Sequence, residues 1–286
     1  AMIAKQVMQI GLDSIGDIIV PRIDEIFQLD NGGTIALTTL GHGLINLGYV
    51  EQAMDLVEPY RSLASSDAQV WTTLIDIYVQ SNRFNEAIDA NQQAIELGLE
   101  NEQLYWRYIQ LLLIAESNNW FIEELLLIDP DEYDEEEHVT YEIIVALEKI
   151  IEINPQSLKA ITALIPYLIE VEDNETVWQN LERLIGIDES LRHVHEILHN
   201  FSEVDDLEKG FEILTKSAED NSDNPYAFLN LALVAVLDMN PALAEQYLAK
   251  ASAFVSEYGD DLELEIQNLR LSATYPTFDQ QFAEIN

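Results

Sequence analysis

The sequence predicts an all-α fold built from repeated helical hairpins. Three observations favour it: apolar residues recur at helical spacing, glycine and proline are few, and similar helix pairs return at a nearly constant interval. The chain has 286 residues, of which 11 are glycine and 8 are proline. No run shows the alternation of apolar and polar residues that is typical of β-strands. Because the repeats continue along most of the chain, we expect one elongated domain.

The helix pair at 68–101 has the clearest pattern. Its first helix carries an apolar stripe, which Ser81 and Asn82 interrupt because short polar side chains compete for backbone hydrogen bonds. A second stripe follows, with small residues that allow close approach of the two helices. The residues that define the two stripes are Trp71, Leu74, Tyr78, Phe84, Ala87 and Ala94.

These six residues resemble the pattern of the tetratricopeptide repeat, a unit of about 34 residues. One period earlier, Gly41 is the small residue that this family favours where its helices touch. The resemblance implies a right-handed α-solenoid of about six helical hairpins, with a concave groove that binds a segment of another protein.

The predicted organisation has three parts. We expect an N-terminal helical cap at 1–33, a repeat domain at 34–258, and a C-terminal capping (solvating) helix with its tail at 259–286. The third repeat contains an insertion at 117–138, whose second half is predicted to be an acidic loop. The predicted repeat units are 34–67, 68–101, 102–157, 158–190, 191–224 and 225–258.

Charge restricts the possible partners. With 13 basic and 53 acidic residues, the formal charge of −40 repels phosphate backbones, so nucleic acid is an unfavourable partner. A solvated surface, a basic protein or peptide partner, and adaptation to high salt remain as interpretations. The chain has no cysteine, which excludes disulfides and thiolate metal sites. No apolar run is long enough to span a membrane, and we expect a cytoplasmic location.

The resemblance implies a non-catalytic scaffold or adaptor whose partner is another protein or peptide. No cofactor is expected, and a self-assembling structural subunit is an alternative. The repeat register assigns the following residues to the inner, concave face as candidate partner-binding positions: His42, Asn46, Thr72, Asp76, Gln80, Trp106, Gln110, Arg192, His195 and His199.

The segment His195-Glu196-Ile197-Leu198-His199 matches a zinc motif, in which two histidines one helical turn apart share a metal and the glutamate activates its water. Asp205 has the spacing of a third ligand, although Ser202 replaces the glycine that such enzymes require. A zinc-dependent hydrolase is therefore an alternative function. Our main expectation is that no metal binds and that Arg192, His195 and His199 form a local patch that holds an acidic group.

The inner face of the sixth repeat is apolar. We predict that it receives the C-terminal helix, and the alternative is an apolar helix of a partner. The apolar residues are Tyr226, Leu229, Leu233, Val236 and Leu237.

Overall fold

All regular structure described by the computed structural model, which covers residues 34–61, 67–99, 101–117, 135–204 and 206–274, is helical. The chain divides into two units, with the boundary between Asn154 and Pro155. The helices of the first unit are α1 (Thr34–Asn46), α2 (Val50–Val57), α3 (Ala68–Gln80), α4 (Phe84–Glu96), α5 (Glu102–Ser117) and α6 (Glu135–Ile153). Those of the second are α7 (Leu158–Glu170), α8 (Asn174–Ile187), α9 (Arg192–Leu198), α10 (Leu207–Asp220), α11 (Pro225–Leu237), α12 (Pro241–Ser252), α13 (Val255–Tyr258) and α14 (Asp260–Thr274).

Neighbouring helices pack as pairs. In the first unit α1 packs on α2, α3 on α4 and α5 on α6, while α1 also contacts α3 and α4 contacts α5. In the second unit α7 packs on α8 and α11 on α12, with α9 against α11 and α8 against α10. The predicted all-α fold of helical hairpins is thus confirmed, whereas the number of repeats and their boundaries stay predictions.

Four hairpin corners share one backbone conformation. Each contains a residue with positive φ: Gly48 at 81°, Asn82 at 57°, Glu172 at 58° and Met239 at 52°. At every corner the amide of this residue donates to the carbonyl three residues earlier, and the next amide donates to the carbonyl five residues before itself. This double bond pattern is a Schellman motif, which satisfies carbonyls that the helix end would otherwise leave unpaired.

Short polar side chains cap the N-termini of α3 and α11. The Asp67 carboxylate accepts a hydrogen bond from the amide of Gln69 at 2.9 Å, which caps α3. Asn224 caps α11 in the same way, and Pro225 follows at the first helical position, where its missing N–H is not needed.

The stripes predicted from the sequence form the core of the first unit. Trp71, Leu74 and Tyr78 are almost fully buried, as are Ala87 and Ala94. Close packing explains the glycine of α1, because a Cβ atom added to Gly41 would lie 2.8 Å from Cγ2 of Thr73 and 3.0 Å from Cγ2 of Val57.

The terminal helix covers the apolar face of the second unit. α14 packs on α11 and α12, and it buries Leu262, Ile266 and Leu269. On α11, Leu229 and Leu233 are buried beneath the same layer. The apolar inner face therefore receives the C-terminal helix, as the sequence predicts.

The acidic insertion differs from its prediction. α6 begins at Glu135, so residues 135–138 are helical and the prediction of a loop is wrong for these four residues. Acidic side chains are favourable in a first helical turn because they face its positive dipole end, which is the physical reason for the earlier start. The rest of the insertion after Ser117, the predicted cap at 1–33 and the tail after Thr274 lie outside the described residues. Within the described ranges, every helix is too short or too polar to cross a lipid bilayer.

Candidate functional site

A polar ladder links the first helices of three successive pairs in the first unit. It consists of His42 on α1, Asp76 on α3 and Arg107 on α5. Nε2 of His42 lies 3.3 Å from Oδ2 of Asp76, and Nη2 of Arg107 donates to Oδ1 of Asp76 at 2.9 Å. The Asp76 side chain is only 17% exposed, so a histidine and an arginine hold a carboxylate that is largely shielded from water.

Both ring nitrogens of His42 face acceptors. Nδ1 lies 2.9 Å from the carbonyl oxygen of Thr38, while Nε2 faces Asp76. The hydrogen bond with Asp76 raises the pKa of His42 above its usual value, although partial burial opposes the shift. An imidazolium satisfies both acceptors at once, because only the charged ring has two N–H donors.

Arg107 is the member of the ladder that the sequence did not predict. It lies 31 residues after Asp76, outside the 34-residue register, and its long side chain reaches Asp76 from α5. Its Nη1 also donates to Oε1 of Gln110 at 3.0 Å. Two predicted inner-face residues, His42 and Asp76, therefore contact each other directly, and Arg107 connects a third, Gln110, to Asp76.

The other predicted residues of the first unit differ in exposure. Asn46 and Gln80 are exposed. Trp106 is half-buried, and its Nε1 donates to Oε1 of Glu102 at 3.3 Å. Thr72 is buried, and its hydroxyl donates to the carbonyl of Ala68 at 2.7 Å. Its assignment to an accessible face is therefore wrong, because the side chain is buried and its hydroxyl bonds to the backbone of its own helix.

Arg192 and Tyr226 form a contact in the second unit, again 34 residues apart. Nε and Nη2 of Arg192 donate to the Tyr226 hydroxyl at 3.0 and 2.8 Å, and the guanidinium lies 5.2 Å from the ring centroid. Arg192 is exposed, and the tyrosine fixes its direction.

His195 is buried, with 3% of its surface exposed. Its Nδ1 lies 3.0 Å from Oδ1 of Asn230, whose Nδ2 donates to the carbonyl of Leu191 at 3.3 Å. Burial, and to a lesser degree the nearby His199, lower the pKa of His195 to about 4, against the raising effect of Asn230. The expectation that His195 faces an open groove is wrong, because the ring lies inside the packed layer of the second unit.

Two histidines of the zinc-like motif meet a carboxylate from the terminal helix. One ligand-type atom from each of His195, His199 and Glu265 lies within 4.8 Å of the other two. Nε2 of His195 is 3.8 Å from Oε2 of Glu265. His199 and Glu196 are exposed, and Asp205, the third ligand considered from the sequence, lies outside the described residues. Of the three clustered residues, the two histidines belong to the motif, whereas Glu265 lies far along the chain and is not predicted by it.

No protein-family model matches the chain, and no curated protein does. Similar solved structures include YrrB, a TPR protein with an unusual peptide-binding site, at 16% identity and a TM-score of 0.40, covering 86% of this chain and 97% of that one. A tetratricopeptide repeat protein from Parabacteroides merdae is 9% identical with a TM-score of 0.44, covering 85% and 99%. PilF from Pseudomonas aeruginosa is 13% identical with a TM-score of 0.41, covering 83% and 96%.

Side-chain contacts show the period of the helical hairpins. Equivalent helices of successive hairpins are joined by pairs 34 residues apart: His42 with Asp76 in the first unit, and Glu175 with Lys209 and Arg192 with Tyr226 in the second. A constant offset of this length is the period of one helical hairpin per repeat. Together with the shared corners, it shows a repeat of helical hairpins whose period resembles that of the tetratricopeptide repeat.

Proposed function

We propose that the chain is a non-catalytic interaction scaffold that binds a segment of a partner protein on the face formed by α1, α3 and α5. The observation that carries the proposal is the polar ladder, because Arg107 and His42 fix Asp76 from both sides at 2.9 and 3.3 Å. Side chains that are already held in place lose little entropy when a partner binds.

Accessible groups around the ladder suit a peptide. Asn46, Gln80 and Gln110 are exposed carboxamides, each able to donate and accept hydrogen bonds, which is what the backbone of an extended segment requires. Trp106 adds partly exposed aromatic surface on the same helix as Gln110. Thr72 and His195 are too buried for direct contact, so they support the fold and not the partner.

Charge favours a basic partner. The chain carries a formal charge of −40, which attracts cationic segments over a distance and repels nucleic acids. In the second unit, exposed Arg192 and His199 offer a separate place for an acidic group of the partner. A cytoplasmic location and self-association remain predictions.

The test is affinity capture from an extract of the source organism with the full chain as bait, followed by quantitative mass spectrometry. Trp106→Ala and Asp76→Ala are compared with Glu148→Ala, an exposed residue on α6 that takes no part in the ladder. We expect both ladder-face variants to lose at least four fifths of a captured protein, about 1 kcal/mol of binding free energy, while Glu148→Ala retains it.

Circular dichroism confirms that each variant is folded before capture is compared. A partner that binds all three variants equally contradicts the proposed face. If Glu148→Ala and Asp76→Ala reduce the amount of a captured protein equally, that protein is attracted non-specifically to the acidic surface.

A further inference from the structure

The Nε2 atom of His195 is a buried polar atom that has no hydrogen-bond partner among the described residues. Buried polar groups in folded proteins are almost always paired, because leaving one unpaired loses the hydrogen bond it had with water. The atom points toward Glu265, whose Oε2 is 3.8 Å away, too far for a hydrogen bond. Its position requires an explanation other than packing.

Asn230 fixes the tautomer of this ring. Its Nδ2 donates to the carbonyl of Leu191 at 3.3 Å, so its Oδ1 is the atom that faces Nδ1 of His195 at 3.0 Å. An amide oxygen only accepts, and Nδ1 therefore carries the hydrogen. The lone pair of the neutral ring then lies on Nε2, as in histidines that bind metals while their other nitrogen is held by an outer hydrogen bond.

The groups around Nε2 match the ligands of a transition metal. One ligand-type atom each from His199 and Glu265 lies within 4.8 Å of a ring nitrogen of His195, and Oε2 of Glu265 is 3.8 Å from its Nε2. Zn²⁺ binds such atoms at about 2.0–2.2 Å in a tetrahedron, which places ligand atoms about 3.3 Å apart. Because the Glu265 side chain is 40% exposed and His199 is exposed, these two can rotate inward by the distance that is needed.

We propose that His195, His199 and Glu265 bind one Zn²⁺ ion, which clasps α14 to the helix segment at 192–199. Two imidazoles and one carboxylate favour zinc over calcium or magnesium, which prefer oxygen ligands. The carboxylate comes from the terminal helix and not from Glu196, so the arrangement differs from that of a hydrolase. The exposed side of the site leaves a fourth position for water or for a side chain of another protein. This inference does not depend on the ladder.

The first test is a zinc titration of the full chain without a histidine tag, by isothermal calorimetry with excess Mg²⁺ to occupy the acidic surface. We expect one saturable site per chain. His199→Ala and Glu265→Gln should each weaken binding at least tenfold, because each removes one of three ligands. The controls are Glu263→Gln, an exposed carboxylate on the same helix, and Glu196→Gln from the motif, and both should bind as the wild type does.

Co²⁺ provides a second readout through its visible spectrum, which reports tetrahedral coordination directly. His199 and Glu265 are chosen for substitution because their side chains are exposed enough for the variants to fold, whereas His195 is part of the core. Weak binding to several sites, equal in all variants, would reveal an adventitious ion only and would overturn the proposal.

Hydrogen exchange tests whether bound zinc holds α14 against the helix segment at 192–199. Zn²⁺ should slow amide exchange in residues 260–274 at least tenfold in the wild-type chain and leave it unchanged in Glu265→Gln. Saturable zinc binding without slower exchange in this helix would overturn the clasp, and equal affinity of Glu265→Gln and the wild type would overturn the ligand set.

Discussion

His42 in the first unit and His195 in the second both occupy positions that the repeat register assigns to an inner face, yet their environments are opposite. His42 is exposed, and both of its ring nitrogens face acceptors. His195 is buried, and only one of its nitrogens is paired. The hydrogen bond with Asp76 raises the pKa of His42, whereas burial lowers that of His195.

The neighbours of each histidine account for the difference. In the first unit the described residues leave His42 on an exposed face beside a carboxylate, which favours the cation. In the second unit α14 packs on α11 and α12, and the His195 side chain is shielded from solvent. The repeat register therefore predicts the direction of a side chain, whereas the charge of that side chain depends on the groups that pack against it.

Weakening the packing of α14 on α11 and α12 should have the largest effect on the free energy of unfolding. Ile266→Ala takes a side chain that is 2% exposed out of the contact between α14 and the second unit, and we expect a loss of about 3 kcal/mol in the free energy of unfolding. Leu271→Ala on the same helix is the control: it is 59% exposed and should cost less than about 0.5 kcal/mol. Urea denaturation measures both, and equal values would mean that α14 contributes no cover.

Two glycines allow the packing density inside the first unit to be compared with that inside the second. A Cβ on Gly210 would lie 2.5 Å from the ring of Trp178, which is large and fully buried, so Gly210→Ala should destabilise by about 2 kcal/mol. Gly41→Ala meets only methyl groups at 2.8 and 3.0 Å and should cost about 1 kcal/mol. Thermal unfolding ranks the two, and the reverse order would contradict the tighter packing around Trp178.

Asp76→Asn tests the charged state of His42. The substitution should lower the pKa of His42 toward its ordinary value, as measured by NMR titration of the ring protons. In the wild type the raised pKa contributes stability below about pH 6.5, and this is lost as the pH rises through the folded-state pKa. Because the His42 side chain is 46% exposed, the contribution should be below about 1 kcal/mol.

Gln110→Ala is the matched control for this titration, since Gln110 contacts Arg107 and is not joined to His42. Its His42 titration should follow the wild type. An unchanged pKa in Asp76→Asn would show that the hydrogen bond at 3.3 Å has no electrostatic effect.

The smallest effect concerns the shared corner. Met239 holds a φ of 52° and is 71% exposed, whereas Gly48 supplies the same corner in the first unit without a side chain. Met239→Gly should therefore stabilise by about 0.5 kcal/mol, because glycine adopts this conformation without strain. Chemical denaturation measures the change. Leu237→Gly, at the last residue of α11, is the opposite control and should destabilise because glycine lowers helix propensity.

The sequence predicted what depends on local repetition and missed what depends on tertiary placement. Trp71 and Tyr78 lie in a stripe that each helix carries by itself, so their burial was predictable. Arg107 lies out of register, and only the reach of its side chain joins it to Asp76. Glu265 lies near His195 because α14 packs on α11 and α12, and no local motif encodes that proximity. The sequence signal for this packing was the apolar stripe of Leu262, Ile266 and Leu269 on the same helix.

The shared corners form the same turn between helices with different residues in it. Their hydrogen bonds use main-chain atoms alone, and glycine, asparagine, glutamate and methionine all adopt the same bend. The main chain therefore sets the geometry of each turn, and the side chain at the positive-φ position changes how stable the turn is.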